Sequence, residues 1–237
     1  MNRVAVLDLP FHGTDRDFEA LRGLPNVDLV KMPPSEFAQR GKGAKLIILP
    51  GSARTTSDLK YLRAEGGEEL IRSHLAQGGF LFGICGGLQM MGEQLLDPLL
   101  TQGDETRVEG LSLIPFSVTT FGPTMLSSST TASLTNAAGE IKGREHRSGQ
   151  TTFGNEMQYS PLARIVSRVL ENEIDVPEPA TLPVADSNGN IVPRYWAPGT
   201  ELMDGVVLDG MHIMASYIHL IFANPSFLSA VLPIVFP

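Results

Sequence analysis

The chain's one cysteine carries the first sign of chemistry. Cys85 sits within Gly83-Ile84-Cys85-Gly86-Gly87-Leu88-Gln89-Met90-Met91-Gly92, directly after the apolar run Gly79-Phe80-Leu81-Phe82. An apolar strand that runs through glycines around one reactive side chain and into a helical pattern is the layout of a nucleophile elbow. The nucleophile stands on a cramped strand-to-helix turn, and glycine is needed where flanking side chains would collide. The following helix aims its N-terminal amides and positive dipole end at the sulfur, which favours thiolate, the reactive form. A lone cysteine can also be a small buried hydrophobe. Four glycines in ten residues speak for the nucleophile.

A thiol nucleophile for acyl transfer needs a base that takes its proton and returns it to the leaving group, usually histidine. Five histidines are present. His12 falls in a polar loop, His74 in a helical run, His146 in a Gly-rich polar segment and His212 in a strand beside methionines. His219 ends the apolar run Met214-Ala215-Ser216-Tyr217-Ile218, and a histidine at a strand end can project into a crevice. Spacing alone leaves His219 open between a base and a packed core histidine. Oxyanion donors are expected from backbone amides near Gly51 and Ser52 and at Gly86, since the amide after a nucleophile is a regular donor. Gln89, one turn into the helix, is either a ligand for a polar substrate group at the mouth or a solvated helix residue.

These groups need a frame that brings them together. Strands are expected at Val4 to Leu9, Val27 to Lys31, Lys45 to Leu49 and Phe80 to Ile84, with helical patterns at Asp15 to Arg22, Asp58 to Ala64 and Glu68 to Ala76. Alternation of that kind, with near-continuous apolar strands, predicts an α/β fold: an open, mostly parallel sheet with helices on both faces. Ligands of such sheets collect at the carboxyl ends of the strands, where Pro50-Gly51-Ser52 and Gly83-Ile84-Cys85 both fall. From about Val108 the pattern shifts to shorter, partly antiparallel strands at Leu111 to Thr120, Glu140 to Glu145, Gly205 to Leu208 and His212 to Ile218. Ser127 to Ser133 and the Pro-rich stretch Glu171 to Pro198 read as loops. Ile221 to Pro237 reads as a docked terminal helix or a partner-facing surface.

A length of 237 residues suits one large α/β domain, taken as 1–237. The net charge of −8 disfavours nucleic acid and anionic membranes as partners. A single cysteine rules out an internal disulfide and a cysteine-based zinc cluster, so no metal is expected, and it fits a reducing cytoplasm. The N-terminal apolar stretch is too short for a signal peptide, and no apolar run approaches the roughly 18 residues of a membrane span.

One family matches these residues in order. Ile47-Ile48-Leu49-Pro50-Gly51-Ser52, then Thr56-Ser57-Asp58-Leu59 with Leu62-Arg63, then the Gly83 to Gly92 segment, closely resembles the glutamine amidotransferase domain of cobyric acid synthases, cysteine-dependent class I enzymes. The resemblance extends through Arg3 to Pro10, Thr14-Asp15, Asp97-Pro98, Val108-Glu109-Gly110-Leu111 and Asp204-Gly205-Val206-Val207, and through Ser216 to Phe222. It implies a class I amidotransferase fold, a nucleophile at Cys85, a catalytic histidine at His219 and glutamine as substrate. It also implies an ATP-dependent synthetase domain or subunit that amidates a corrinoid precursor. ATP and magnesium belong to that partner, because this chain has no Gly-x-x-x-x-Gly-Lys-Ser/Thr loop and needs no cofactor of its own.

Departures from the family pattern matter as much. Its Gly-Tyr-Glu-Ile-His-x-Gly stretch becomes Gly143-Arg144-Glu145-His146-Arg147-Ser148-Gly149, and its His-Gly-x-Phe-Asp-Asn becomes His219-Leu220-Ile221-Phe222-Ala223-Asn224. The glycine lost beside the base is expected to narrow the site. No Glu follows His219 at the spacing many class I amidotransferases use, so the machinery reads as a Cys–His pair with Glu145 a weak supporting candidate. Two rivals follow from the altered segments: a glutaminase subunit of a cell-wall-precursor ligase, and a catalytically silent binding subunit.

Overall fold

The computed structural model describes residues 1–153, 160–171, 181–185, 191–195, 203–208, 210 and 212–237. The first part alternates strands β1 (Asn2–Leu7), β2 (Val27–Met32), β3 (Ala44–Leu49) and β4 (Phe80–Ile84) with helices α1 (Arg16–Arg22), α2 (Phe37–Arg40), α3 (Thr55–Ala64), α4 (Gly67–Ala76) and α5 (Gly86–Met91). Then come β5 (Gln94–Leu96), β6 (Arg107–Glu109), β7 (Ser117–Leu134), β8 (Glu140–Phe153), β9 (Ala163–Leu170), β10 (Thr181–Ala185), β11 (Ile191–Tyr195), β12 (Met203–Asp204), β13 (Val206–Leu208), β14 (Ile213–Ser216) and α6 (Pro225–Val235). No helix among the described residues is long and apolar enough to cross a membrane.

One sheet runs β13-β14-β4-β3-β1-β2, parallel except for β13. Val4 to Leu7 of β1, Leu46 to Leu49 of β3 and Phe80 to Ile84 of β4 are apolar and buried, as a sheet covered on both faces requires. The chain steps one way from β1 to β2 and back the other way from β2 to β3 and β4. Right-handed crossovers therefore put α1 on one face and α2, α3 and α4 on the opposite face. The reversal beside β1 opens a crevice at the carboxyl ends of β1, β3 and β4. The expected strands and helices of this half are present, with ends shifted by up to three residues.

The second sheet runs β12-β9-β7-β5-β6, with β8 also paired to β7. Here two expectations are corrected. Ser127 to Ser133 is not loop but the middle of the 18-residue strand β7. Its backbone is paired on both sides, by β8 and by β9, and buried Ser128 and Thr130 satisfy each other at 3.1 Å. Tertiary pairing overrides the polar composition. Leu111 to Ile114 is not strand: its amides bond back to the carbonyls of Met90, Met91 and Gly92 at the end of α5, so only the later part of Leu111 to Thr120 joins β7. The loop expectation for Glu171 to Pro198 is also corrected at β10 and β11, which pair antiparallel with Pro183 opposite Pro193, whereas Pro177, Pro179 and Pro198 lie outside the described residues. The C-terminal segment docks as α6, burying Phe227, Val231 and Val235. Phe227 packs 5.6 Å from Phe82 of β4 and 5.5 Å from Phe222, fixing the chain just beyond His219.

Candidate active site

At the end of β4 the backbone of Cys85 is held at φ +50°, ψ −103°, a conformation a non-glycine residue adopts only under strain. Hydrogen bonds over-determine it: Cys85 N donates to Ser216 O at 2.8 Å, and Cys85 O accepts from Gln89 N at 3.1 Å. The glycines have the reason expected of them. A Cβ at Gly87 would stand 2.0 Å from the Leu49 carbonyl oxygen, and one at Gly83 would stand 2.4 Å from the Met91 sulfur. At Gly86 it would stand 2.7 Å from Ser52 N, so the two backbone segments expected to supply oxyanion donors lie side by side.

His219 reaches the same place from the other end of the chain. Cys85 and His219 line one cavity of about 410 Å³, together with Gly51 and Ser52. That volume suits a small molecule, whose sites run from about 300 to 1,000 Å³. Gly51 lies against both the imidazole and the nucleophile: a methyl there would lie 3.1 Å from His219 Cε1 and 3.8 Å from Cys85 Cβ. The histidine's backbone is clamped by a bridge to β8, with His219 N donating to Arg144 O at 2.7 Å. Across the cavity the Cys85 thiol donates to the His146 carbonyl at 3.5 Å.

Asp17 is the residue that sequence reasoning missed. It is buried on α1, and its Oδ2 accepts from His219 Nδ1 at 2.8 Å while its Oδ1 accepts from Leu220 N at 2.9 Å. The carboxylate therefore fixes both the ring and the backbone behind it. Nδ1 carries the proton toward Asp17, and Nε2 is left buried with no hydrogen-bond partner among the described residues. Burial pushes the His219 pKa down, but the Asp17 hydrogen bond and the neighbouring Cys85 sulfur outweigh it and raise the group from 6.5 to about 10. One signal for Asp17 was available: it shares the buried face of α1 with Phe18 and Leu21, where an unpaired carboxylate is costly.

Glu145, the weak supporting candidate, is elsewhere engaged. It is buried and accepts from Arg168 at 2.7 Å, with no bond to His219. Gln89 is neither at the mouth nor solvated: only 2% exposed, it accepts from Thr55 Oγ1 at 3.0 Å and donates to Tyr217 Oη at 3.5 Å. Its place is the packing under α5. The Ser52 hydroxyl is likewise occupied, donating to Asp58 Oδ2 at 2.6 Å, which leaves its backbone for the cavity. Arg147, standing where the family pattern has histidine, stacks its guanidinium 4.2 Å from the Tyr217 ring centre. Leu220, standing where the pattern has glycine, sits at φ +64° and lines the cavity.

A family model of CobB/CobQ-like glutamine amidotransferase domains matches residues 3–227. The chain belongs to this family. The amidotransferase domain is 35% identical over 194 residues to the cobyric acid synthase of Paracidovorax citrulli (strain AAC00-1), covering 81% of this chain and 37% of that protein. It is 36% identical over 162 residues to the cobyric acid synthase of Marinomonas sp. (strain MWYL1), covering 68% and 32%. The domain thus spans about a third of the length of the curated relatives it matches. Its fold is that of a solved glutamine amidotransferase, with TM-score 0.60, 17% identity and coverage of 98% and 97%. It also resembles PurLQS from Thermotoga maritima, with TM-score 0.56, 13% identity and 99% of each chain.

Proposed function

We propose that the amidotransferase domain, taken as one unit over 1–237, hydrolyses glutamine at Cys85 and delivers the ammonia to an ATP-dependent synthetase domain or subunit. The observation that carries this is a thiol on a strained elbow sharing a cavity with an imidazole backed by a buried carboxylate. The Cys85 thiolate attacks the side-chain carbonyl carbon of glutamine, and amides near Gly51, Ser52 and Gly86 hold the oxyanion. His219 protonates the departing nitrogen, ammonia leaves and a γ-glutamyl thioester remains on Cys85. Water then gives a proton to His219, attacks the thioester and releases glutamate, and the sulfur is restored. Asp17 holds the Nδ1 proton so that Nε2 faces the reaction, and stabilises the imidazolium between steps.

The acceptor is proposed from kinship: the curated relatives named above are cobyric acid synthases, which points to carboxylates on a corrinoid precursor. ATP and magnesium would be bound by the synthetase, with no cofactor in this chain. The test is a glutaminase assay with the partner present. Cys85→Ser should lose at least about 10³-fold in kcat, and full retention of activity refutes the nucleophile. Corrin-ring enzymes as genomic neighbours support the acceptor, whereas a cell-wall ligase beside the gene replaces it.

A further inference from the structure

The cavity that holds Cys85 carries a permanent charge that neither the reaction nor an ion pair uses. Among its charged lining groups, Asp17 is matched by His219, and the Arg144 guanidinium is ion-paired with Glu171. Arg16 has no such match. Arg16 lines the cavity and is exposed, and its guanidinium has no hydrogen-bond or ion-pair partner among the described residues. The two carboxylates on either side in sequence are both taken. Asp15 accepts from Lys31 at 2.9 Å and lies 3.1 Å from His12 Nε2, while Asp17 accepts from His219 and Leu220. A guanidinium with no partner in the cavity attracts an anion, and a planar carboxylate matches its fork.

We propose that Arg16 is the specificity determinant that binds the α-carboxylate of the amino-acid substrate and so turns its side-chain amide toward Cys85. This rests on the glutaminase reading above and adds which end of glutamine is recognised, and by what. The rival role for Arg16 is to stabilise the Cys85 thiolate directly, and two reagents separate the roles. 6-Diazo-5-oxo-L-norleucine alkylates the sulfur while presenting an α-carboxylate; iodoacetamide alkylates it without one.

In the full chain, Arg16→Gln should slow labelling of Cys85 by the norleucine about 10- to 100-fold, the loss of a charge-assisted hydrogen bond. The iodoacetamide rate should stay within about twofold, and Arg16→Lys should recover part of the loss. Arg144→Gln, whose charge Glu171 already answers, should change the norleucine rate far less. Equal slowing with both reagents overturns the proposal and assigns Arg16 to the sulfur. An unchanged norleucine rate, or a larger effect at Arg144, also overturns it. If the unsubstituted chain takes iodoacetamide at Cys85 but not the norleucine, the glutaminase reading fails as well, a result distinct from failure at Arg16 alone.

Discussion

A buried histidine ordinarily gives up its charge, because a low-dielectric surrounding penalises the imidazolium. His219 does the opposite, and Asp17 is the main counterweight. Because the folded state holds this proton more tightly, its stabilising contribution is full below about pH 6.5 and lost as the pH rises through about 10. Asp17→Asn keeps an acceptor for Leu220 N but removes the charge and can present an amide hydrogen to Nδ1, favouring the wrong tautomer. In the proposed reaction kcat should fall about 10²- to 10⁴-fold. Denaturation across the same pH window should become flatter in the variant. Unchanged kcat would remove Asp17 from the machinery. Leu220 next door holds a left-handed backbone that glycine adopts without cost, which accounts for the glycine in the family pattern.

The unit that presents the sulfur is β4, its turn and α5. The sharpness of the turn depends on α5 starting against the end of β3, and Gly87 is the point of closest approach. A methyl there meets the backbone oxygens of Leu49 and Pro50 at 2.0 and 3.1 Å, and the backbone of a central strand cannot move aside. Gly87→Ala should therefore cost about 2–3 kcal/mol, several degrees in melting temperature. Gly23→Ala, whose methyl meets nothing closer than 3.8 Å, should stay within about 0.5 kcal/mol. Calorimetry on the pair decides this, and equal melting temperatures would contradict the packing described. β8 contributes from the other side. Its register with β7 breaks opposite Phe121 to Leu126, and beside that break it carries Arg144 and His146 over the cavity.

At the scale of the whole molecule, the site exists because two sheets are stitched together. Arg144 bridges to His219, and Ser160 bridges to Val207. Asp204 is the third tie. Its strand β12 pairs with β9 of the second sheet, while its carboxylate accepts from Ser216 Oγ and from Tyr217 N at 2.9 Å, at the end of the first. Burial raises its pKa from 3.8 to about 6, the Glu145 charge adds to this, and the two hydrogen bonds oppose it. The folded state thus keeps a proton that the unfolded chain releases. This contribution is complete below about pH 3.8 and gone once the pH has risen through about 6. Asp204→Asn retains an acceptor for Tyr217 N and carries no charge. Relative to the unsubstituted protein it should gain up to about 3 kcal/mol between pH 4 and 6.5, read from denaturant unfolding at each pH. Parallel profiles would mean that the carboxylate is not held as described.

What the sequence determined was local. The elbow follows from short-range sterics, so its glycines and Cys85 are legible within ten residues, and the parallel half follows from continuous apolar runs that only a twice-covered sheet can bury. Resemblance, rather than spacing, singled out His219. Tertiary structure alone decided what lies next to it, because Asp17 and His219 are 202 positions apart and meet only when the sheet order sets β1 and β14 on opposite flanks of β3 and β4. The same applies to β7, whose serines and threonines are strand only because β8 and β9 pair with both of its edges. Gln89 shows the converse: its position in the helix was legible, but the partners that bury it come from α3 and from the residue after β14. Local geometry is written in neighbouring residues, whereas charge partners and burial depend on which distant segments the fold brings into contact.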